Sequence, residues 1–276
     1  MKGRLSNLKN MIWASAIVLC LLALLLGLIF SMSRKNTEAR AEGTIVLGQI
    51  ERTKRATDMS VAGLDTPTVG TLIPLPERSK GNFEDVFSMT FLCDKTILGL
   101  RTYANQNGDG IPAQFWTDDG RGLRVKDAAE TPIVFVDGSL IRVSDACMVT
   151  RPKTLVIYMG GDGLADTTQQ EFIDGYTRLI ESIRSGSPNT KIIVCSIGSI
   201  SSNYQGGDGL TTQLIASANA WIRQVCTNTG VYYADIASIV NDEYGFLSDS
   251  YLTPDGRSIA ALGIAQIVEY LRSHYI

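Results

Sequence analysis

Short apolar runs alternate with amphipathic segments through the last two-thirds of this 276-residue chain, and that alternation narrows its fold more than any other feature. Val86-Phe-Ser-Met-Thr-Phe-Leu92, Thr154-Leu-Val-Ile-Tyr158, Lys191-Ile-Ile-Val-Cys195 and Val231-Tyr-Tyr-Ala-Asp-Ile236 are the runs. Each is almost continuously apolar, the pattern of a strand covered on both faces in a parallel sheet. Between them, Phe172, Ile173, Tyr176, Leu179, Ile180 and Ile183 recur at helical spacing until Gly186-Ser-Pro188 stops the pattern. Leu214, Ile215, Ala218, Trp221, Ile222 and Val225 repeat it up to Asn228-Thr-Gly230, and a last helix carries Ile259, Leu262, Ile264, Ile267, Val268 and Leu271. Strands and helices in this order are joined by right-handed crossovers, so the expected fold class is α/β, a three-layer α/β/α domain with a mainly parallel sheet. Its ligand crevice should lie beyond the C-terminal ends of the strands.

Ahead of that domain, residues 11–33 carry no charged side chain, and 17–30 are almost wholly aliphatic. At about 1.5 Å of rise per residue, a helix of this length crosses a hydrocarbon core of roughly 30 Å. The apolar core of a signal peptide is shorter, about 7–15 residues. Arg34-Lys35 also supplies no small-residue cleavage site. The expected organisation is a cytoplasmic N-terminus (1–10), one transmembrane anchor (11–33), a Thr-, Gly- and Pro-containing linker (34–81) and the α/β domain (82–276). Basic residues flank both ends of the span, with Lys2, Arg4, Lys9 and the free amine before it. The reading adopted is a single-pass protein of the cell membrane with its C-terminal domain outside the cytoplasm.

Composition removes several classes of function. With 25 basic and 28 acidic side chains the formal charge is −3, which offers no electrostatic footprint for a nucleic acid. The single histidine, His274, lies two residues from the end, so multi-histidine metal sites are excluded and no cofactor is implied. Of five cysteines, Cys20 falls in the apolar span; Cys93, Cys147, Cys195 and Cys226 form no CxxC pair and read as small buried hydrophobes.

The loops after the strands carry the chemistry. Cys93-Asp94-Lys95-Thr96 follows the first, Gly160-Gly-Asp162-Gly-Leu164 the second, and Ser196-Ile-Gly-Ser199 with a Gly-rich loop at 203–209 the third. Thr253-Pro-Asp255-Gly-Arg-Ser258 enters the last helix. In this order the blocks resemble those of the SGNH hydrolases, the GDSL esterase/lipase family, over residues 82–276. The resemblance implies a flavodoxin-like sheet and an ester-hydrolase ancestry, with substrates among acyl esters on lipids, small molecules and envelope polysaccharides. It also implies a Gly-Asp-Ser nucleophile block, a Gly in a second block, a Gly-x-Asn block and an Asp-x-x-His block.

This chain departs from that pattern at the reacting positions. Asp94 is retained, but Lys95 stands at the nucleophilic Ser. Gly122 matches the second-block Gly, with Gly120 as the alternative; Asp162 stands at the Asn. Asp255 is retained, and Ser258 (or Tyr251 in a rival placement) stands at the His. A lysine is an ammonium at neutral pH unless strongly desolvated. A carboxylate in place of an amide is an acceptor only and repels a developing oxyanion. Lys95 and Asp162 should instead face one another and pair across the former pocket of Asp94, Lys95, Gly122, Asp162, Asp255 and Ser258.

The leading expectation is a catalytically inactive family member that binds a cell-envelope glycan or an acylated ligand. Against it stand an active envelope esterase or deacetylase using a Ser258/Lys95 dyad, and a structural partner of a membrane-protein assembly. A cation site built from Asp94, Asp162 and Asp255 is opposed by Lys95 in their midst. Tyr204 and the Gly-rich loop border the crevice as a candidate flap. Phe115-Trp116 reads either as an aromatic wall for a sugar or as ordinary core.

Overall fold

The computed structural model describes residues 70–276 apart from 108–113, 119–121 and 136–137. The anchor expected at 11–33, and the linker as far as residue 69, lie outside the described residues. Among the described residues no helix is long and apolar enough to cross a membrane.

Six parallel strands form one sheet. In chain order they are β1 (Ile73–Pro74), β2 (Thr90–Cys93), β3 (Gln114–Trp116), β6 (Thr154–Tyr158), β7 (Lys191–Cys195) and β8 (Tyr232–Ala234), and across the sheet they run β1-β8-β7-β6-β2-β3. A separate antiparallel pair, β4 (Ile133–Val134) and β5 (Leu140–Ile141), is tied to the β3 side where the Val134 amide donates to the Thr117 carbonyl at 2.7 Å. The central strands are buried on both faces: all of β2, Leu155–Tyr158 of β6 and Ile192–Cys195 of β7. That burial is why their sequence is continuous rather than alternating.

Helices cover both faces, which makes the domain three-layered. On one side α3 (Val143–Thr150), α4 (Gln169–Gly186) and α5 (Thr212–Thr229) pack side by side. On the other lie α1 (Phe83–Phe87), α2 (Gly99–Asn107), α6 (Ala237–Val240) and α7 (Ala261–Ser273). Thr168 starts α4 with a capping box closed by Glu171, and Gly230 ends α5 in the left-handed conformation at φ 64°. Gly186 allows α4 to touch α3, since a Cβ there would lie 2.2 Å from the Ser144 carbonyl oxygen.

Two sequence expectations need correction. The first strand does not begin at Val86. Asn82 and Asp85 form a capping box that turns Phe83–Phe87 into a helix, and the strand starts at Thr90. Nor does the folded domain begin at residue 82. Ile73–Pro74 joins the sheet beside β8, the Leu75 amide donates to the Tyr233 carbonyl at 2.7 Å, and the Leu75 side chain is buried. Proline lacks an amide donor and is tolerated because β1 is an edge strand.

Cys93, Cys147, Cys195 and Cys226 are buried free thiols. Trp116 is fully buried, and Phe115 stacks on Phe91 with ring centroids 5.2 Å apart, so this pair is core and not a sugar-facing wall.

Candidate functional site

Because the strands are parallel, the turns that follow β2, β6 and β7 meet at one end of the sheet, and the turn that enters α7 joins them there. β2 delivers Asp94, which caps the short turn Lys95–Ile97. One oxygen of Asp94 accepts from the Thr96 amide at 3.0 Å and the Thr96 hydroxyl at 2.5 Å. The other accepts from the amides of Gly160 and Gly161, each at 3.2 Å. Asp94 thus ties the loop after β2 to the loop after β6. Burial, and next the charge of Asp162, push its carboxyl above the ordinary value, against the lowering effect of the Thr96 bonds.

Lys95 follows at the surface. Its Nζ lies 3.3 Å from Asp162 Oδ1, with the lysine side chain 48% exposed and the aspartate side chain 3% exposed. The ion pair expected from the sequence is therefore formed, but it is not the main one. Arg257 Nη2 reaches the same Asp162 oxygen at 2.9 Å, and Arg257 Nη1 lies 3.2 Å from Asp208 Oδ2. This guanidinium is only 12% exposed and occupies the space beside Gly161, where an added Cβ would meet Nη2 at 3.1 Å.

Gly122 stands on the other side of Asp162. A Cβ on Gly122 would sit 3.6 Å from Asp162 Oδ2, and its φ of +99° belongs to glycine. Asp162 Oδ2 is buried and has no hydrogen-bond partner among the described residues. Gly122 and Asp162, which the sequence reading matches to the second and third blocks, are therefore adjacent, and Asp162 contributes a carboxylate there, an acceptor only.

Asp255 and Ser258 form a local unit. The Ser258 hydroxyl donates to Asp255 Oδ2 at 2.6 Å, and Asp255 Oδ1 accepts from the Thr253 hydroxyl and the amides of Arg257 and Ser258 at 2.6–2.9 Å. Partial burial pushes this carboxyl up, yet the Ser258 and Thr253 hydroxyls and the two amides outweigh it and hold it well below the usual range. Lys95 and Ser258 share no hydrogen bond among the described residues, each being engaged by a different carboxylate.

The only imidazole of the chain is remote. His274 stacks on Tyr270 at 4.0 Å, beyond the C-terminus of α7. That helix begins just after Ser258, and its 13 residues at about 1.5 Å each put His274 roughly 20 Å further on. Among the described residues no three His, Cys, Asp or Glu side chains are grouped to hold a metal ion.

The Gly-rich loop is strapped to the site. The Tyr204 hydroxyl donates to Asp208 at 2.8 Å, Asp208 pairs with Arg257, and the Ser201 amide donates to the Gly256 carbonyl at 2.8 Å. Arg257 and Asp208 are the two residues that reading the loops for nucleophile and base positions missed. Arg257 lies inside the Asp255-Gly-Arg-Ser258 block itself, but the block does not say which way its side chain reaches. A separate cavity of about 660 Å³ lies at the opposite end of the sheet, between Met89, Gln114, Lys153 and Leu271, and contains none of these residues.

The sequence matches the model of the GDSL-like lipase/acylhydrolase family over residues 118–262, more than half of the chain. No curated protein matches it. Among solved structures, one from Streptococcus pneumonia, provisionally described as a platelet activating factor, is 16% identical, covers 84% of this chain and 95% of its own, and superposes with a TM-score of 0.53. At that identity it shows a shared fold and nothing more. A family 3 carbohydrate esterase from Talaromyces cellulolyticus (14% identity, 67% and 93% coverage) has a TM-score of 0.45. A GDSL-like lipase from Bacteroides thetaiotaomicron (14% identity, 67% and 85% coverage) has one of 0.46.

Proposed function

The chain belongs to the GDSL-like lipase/acylhydrolase family, and from that premise we propose that it has exchanged ester cleavage for ligand binding. In this reading it is an extracytoplasmic domain, held to the membrane by residues 11–33, that binds an envelope glycan or an acylated ligand. One observation carries the proposal: Lys95, which the sequence reading puts at the nucleophile position, pairs with the carboxylate of Asp162, and Arg257 meets the same carboxylate from the turn entering α7.

Acyl transfer needs a nucleophile, a base poised near neutral pH and donors for the oxyanion. Here an ammonium replaces the hydroxyl, an acceptor-only carboxylate replaces the amide, and Ser258 stands where an imidazole would act. Losing a single oxyanion donor already costs about 10²–10³ in rate. The paired charges also close the space into which an ester carbonyl would move.

Full-length protein in detergent should hydrolyse p-nitrophenyl acetate no faster than its Lys95→Ala variant. Turnover above background that is lost in both Lys95→Ala and Ser258→Ala would overturn the proposal in favour of a serine–lysine dyad. Extraction from membranes by detergent but not by alkaline carbonate tests the anchor.

A further inference from the structure

We propose that the half-open hollow between segment 201–206 and segment 249–256, beside the charge-filled pocket, is a sugar-binding site. The inference rests on the reading that this domain binds a glycan, and it says where and through which chemistry.

The hollow has a volume of about 500 Å³, within the range of small-ligand sites. Ser201, Asn203, Tyr204, Gln205, Asp249 and Asp255 provide its polar lining, and no lysine or arginine lines it. Two hydroxyls, two carboxamides and two carboxylates form a wall rich in acceptors. Such a wall suits a ligand that brings many hydroxyl donors and repels one that brings negative charge. Leu252, Pro254 and the Tyr204 ring supply apolar surface for the C–H faces of a sugar.

The walls are built before any ligand arrives. The Ser201–Gly256 main-chain bond joins them, and their approach is so close that a Cβ on Gly256 would lie 2.8 Å from Ser201 Oγ. Tyr204 is held at its hydroxyl by Asp208, which Arg257 holds in turn. Asp255 is kept ionised by the Thr253, Arg257 and Ser258 donors behind it, so it presents a fixed negative charge. A rigid aromatic and fixed acceptors lower the ordering cost of binding. The Asp208–Arg257–Asp162 chain that fills the old acyl pocket therefore also shapes the hollow beside it.

Isothermal titration of the full chain with a neutral N-acetylglucosamine oligomer tests this, with an oligogalacturonate as the anionic probe. The neutral oligomer should bind and the uronate should not. Asp249→Asn and Tyr204→Ala should each weaken binding about tenfold, the loss expected for a charged hydrogen bond or an aromatic contact at a small site. Tyr204→Phe, which keeps the ring but drops the Asp208 bond, separates lost stacking from a loosened loop and should lose less than Tyr204→Ala. Binding unchanged in Asp249→Asn and Tyr204→Ala, or lost in Lys95→Ala while kept in those two, overturns this inference and leaves the glycan reading standing. Equal binding of the uronate overturns it as well. No binding of either sugar overturns both.

Discussion

Arg257 and Asp162 meet through a single guanidinium–carboxylate contact of 2.9 Å, in the space beside Gly161. The two residues are far apart in the chain, one after β6 and one in the turn entering α7, and their contact ties those two turns together at one end of the sheet. Lys95 adds to the same oxygen from the solvent side. The sequence makes Lys95 the conspicuous substitution, but burial gives Arg257 the larger share of the interaction. An ion pair shielded from water is screened far less than one at the surface.

That difference can be measured. Arg257→Ala leaves Asp162 buried with only the half-exposed Lys95 as its partner. It should destabilise the domain by about 2–4 kcal/mol, somewhat less than the loss of a buried charge's sole partner. Lys95→Ala, at 48% exposure, should cost less than about 1 kcal/mol. Urea unfolding followed by tryptophan fluorescence gives both values, and a larger loss in Lys95→Ala would reverse the assignment.

Asp255 predicts an acid sensitivity of definite sign. Its folded carboxyl titrates below the ordinary value of 3.8, so the stability it contributes is complete above that pH. It is lost as pH falls through the depressed value. Asp94, raised in the fold, acts in the opposite sense and gains protonated-state stability at low pH. The wild-type profile mixes the two, so the informative quantity is the stability difference between wild type and Asp255→Asn. It should be largest at pH 5–7 and shrink toward pH 2; a difference that grows on acidification would contradict the bonding seen at Asp255.

How much of this was legible in the sequence depends on the length of each signal. β6, β7, α4 and α5 announce themselves, because four consecutive apolar residues in a five-residue strand, or an eighteen-residue amphipathic helix, make a complete signal. β1 and β3, two and three residues long, show no period, and pairing along a sheet edge is a main-chain event that side chains do not encode. Helix α1 hid inside an apolar run, because what makes it a helix is the polar pair Asn82 and Asp85 and not its hydrophobic spacing. In the site, Asp94, Lys95 and Asp162 were readable, since residues just after parallel strands must converge. Arg257 was not, because its long side chain crosses from a neighbouring turn and no local pattern says which way it reaches.

The edge strand gives a prediction at the far side of the sheet. Leu75 is 4% exposed although it lies in a segment whose composition reads as linker. Leu75→Ala should therefore cost about 2–3 kcal/mol, the lower part of the range for buried leucines because an edge can partly relax. Ile73→Ala, only partly buried, should cost less. A Leu75→Ala variant indistinguishable from wild type in urea would mean that the segment does not belong to the fold.

Ser258 supplies the sharpest chemical test. A serine becomes nucleophilic when a base beside it can take its proton, and the base works best when its pKa lies near the working pH. The group that receives the Ser258 proton at 2.6 Å is Asp255, whose carboxyl is held well below the usual range and is a correspondingly poor base. The lysine that would serve instead has its Nζ paired with Asp162 at 3.3 Å and is not hydrogen-bonded to Ser258. Ser258 should thus remain unlabelled by a fluorophosphonate probe at pH 7–8, as a Ser258→Ala control does. Stoichiometric labelling of Ser258 at neutral pH would show an activated hydroxyl and return the chain to the working esterases.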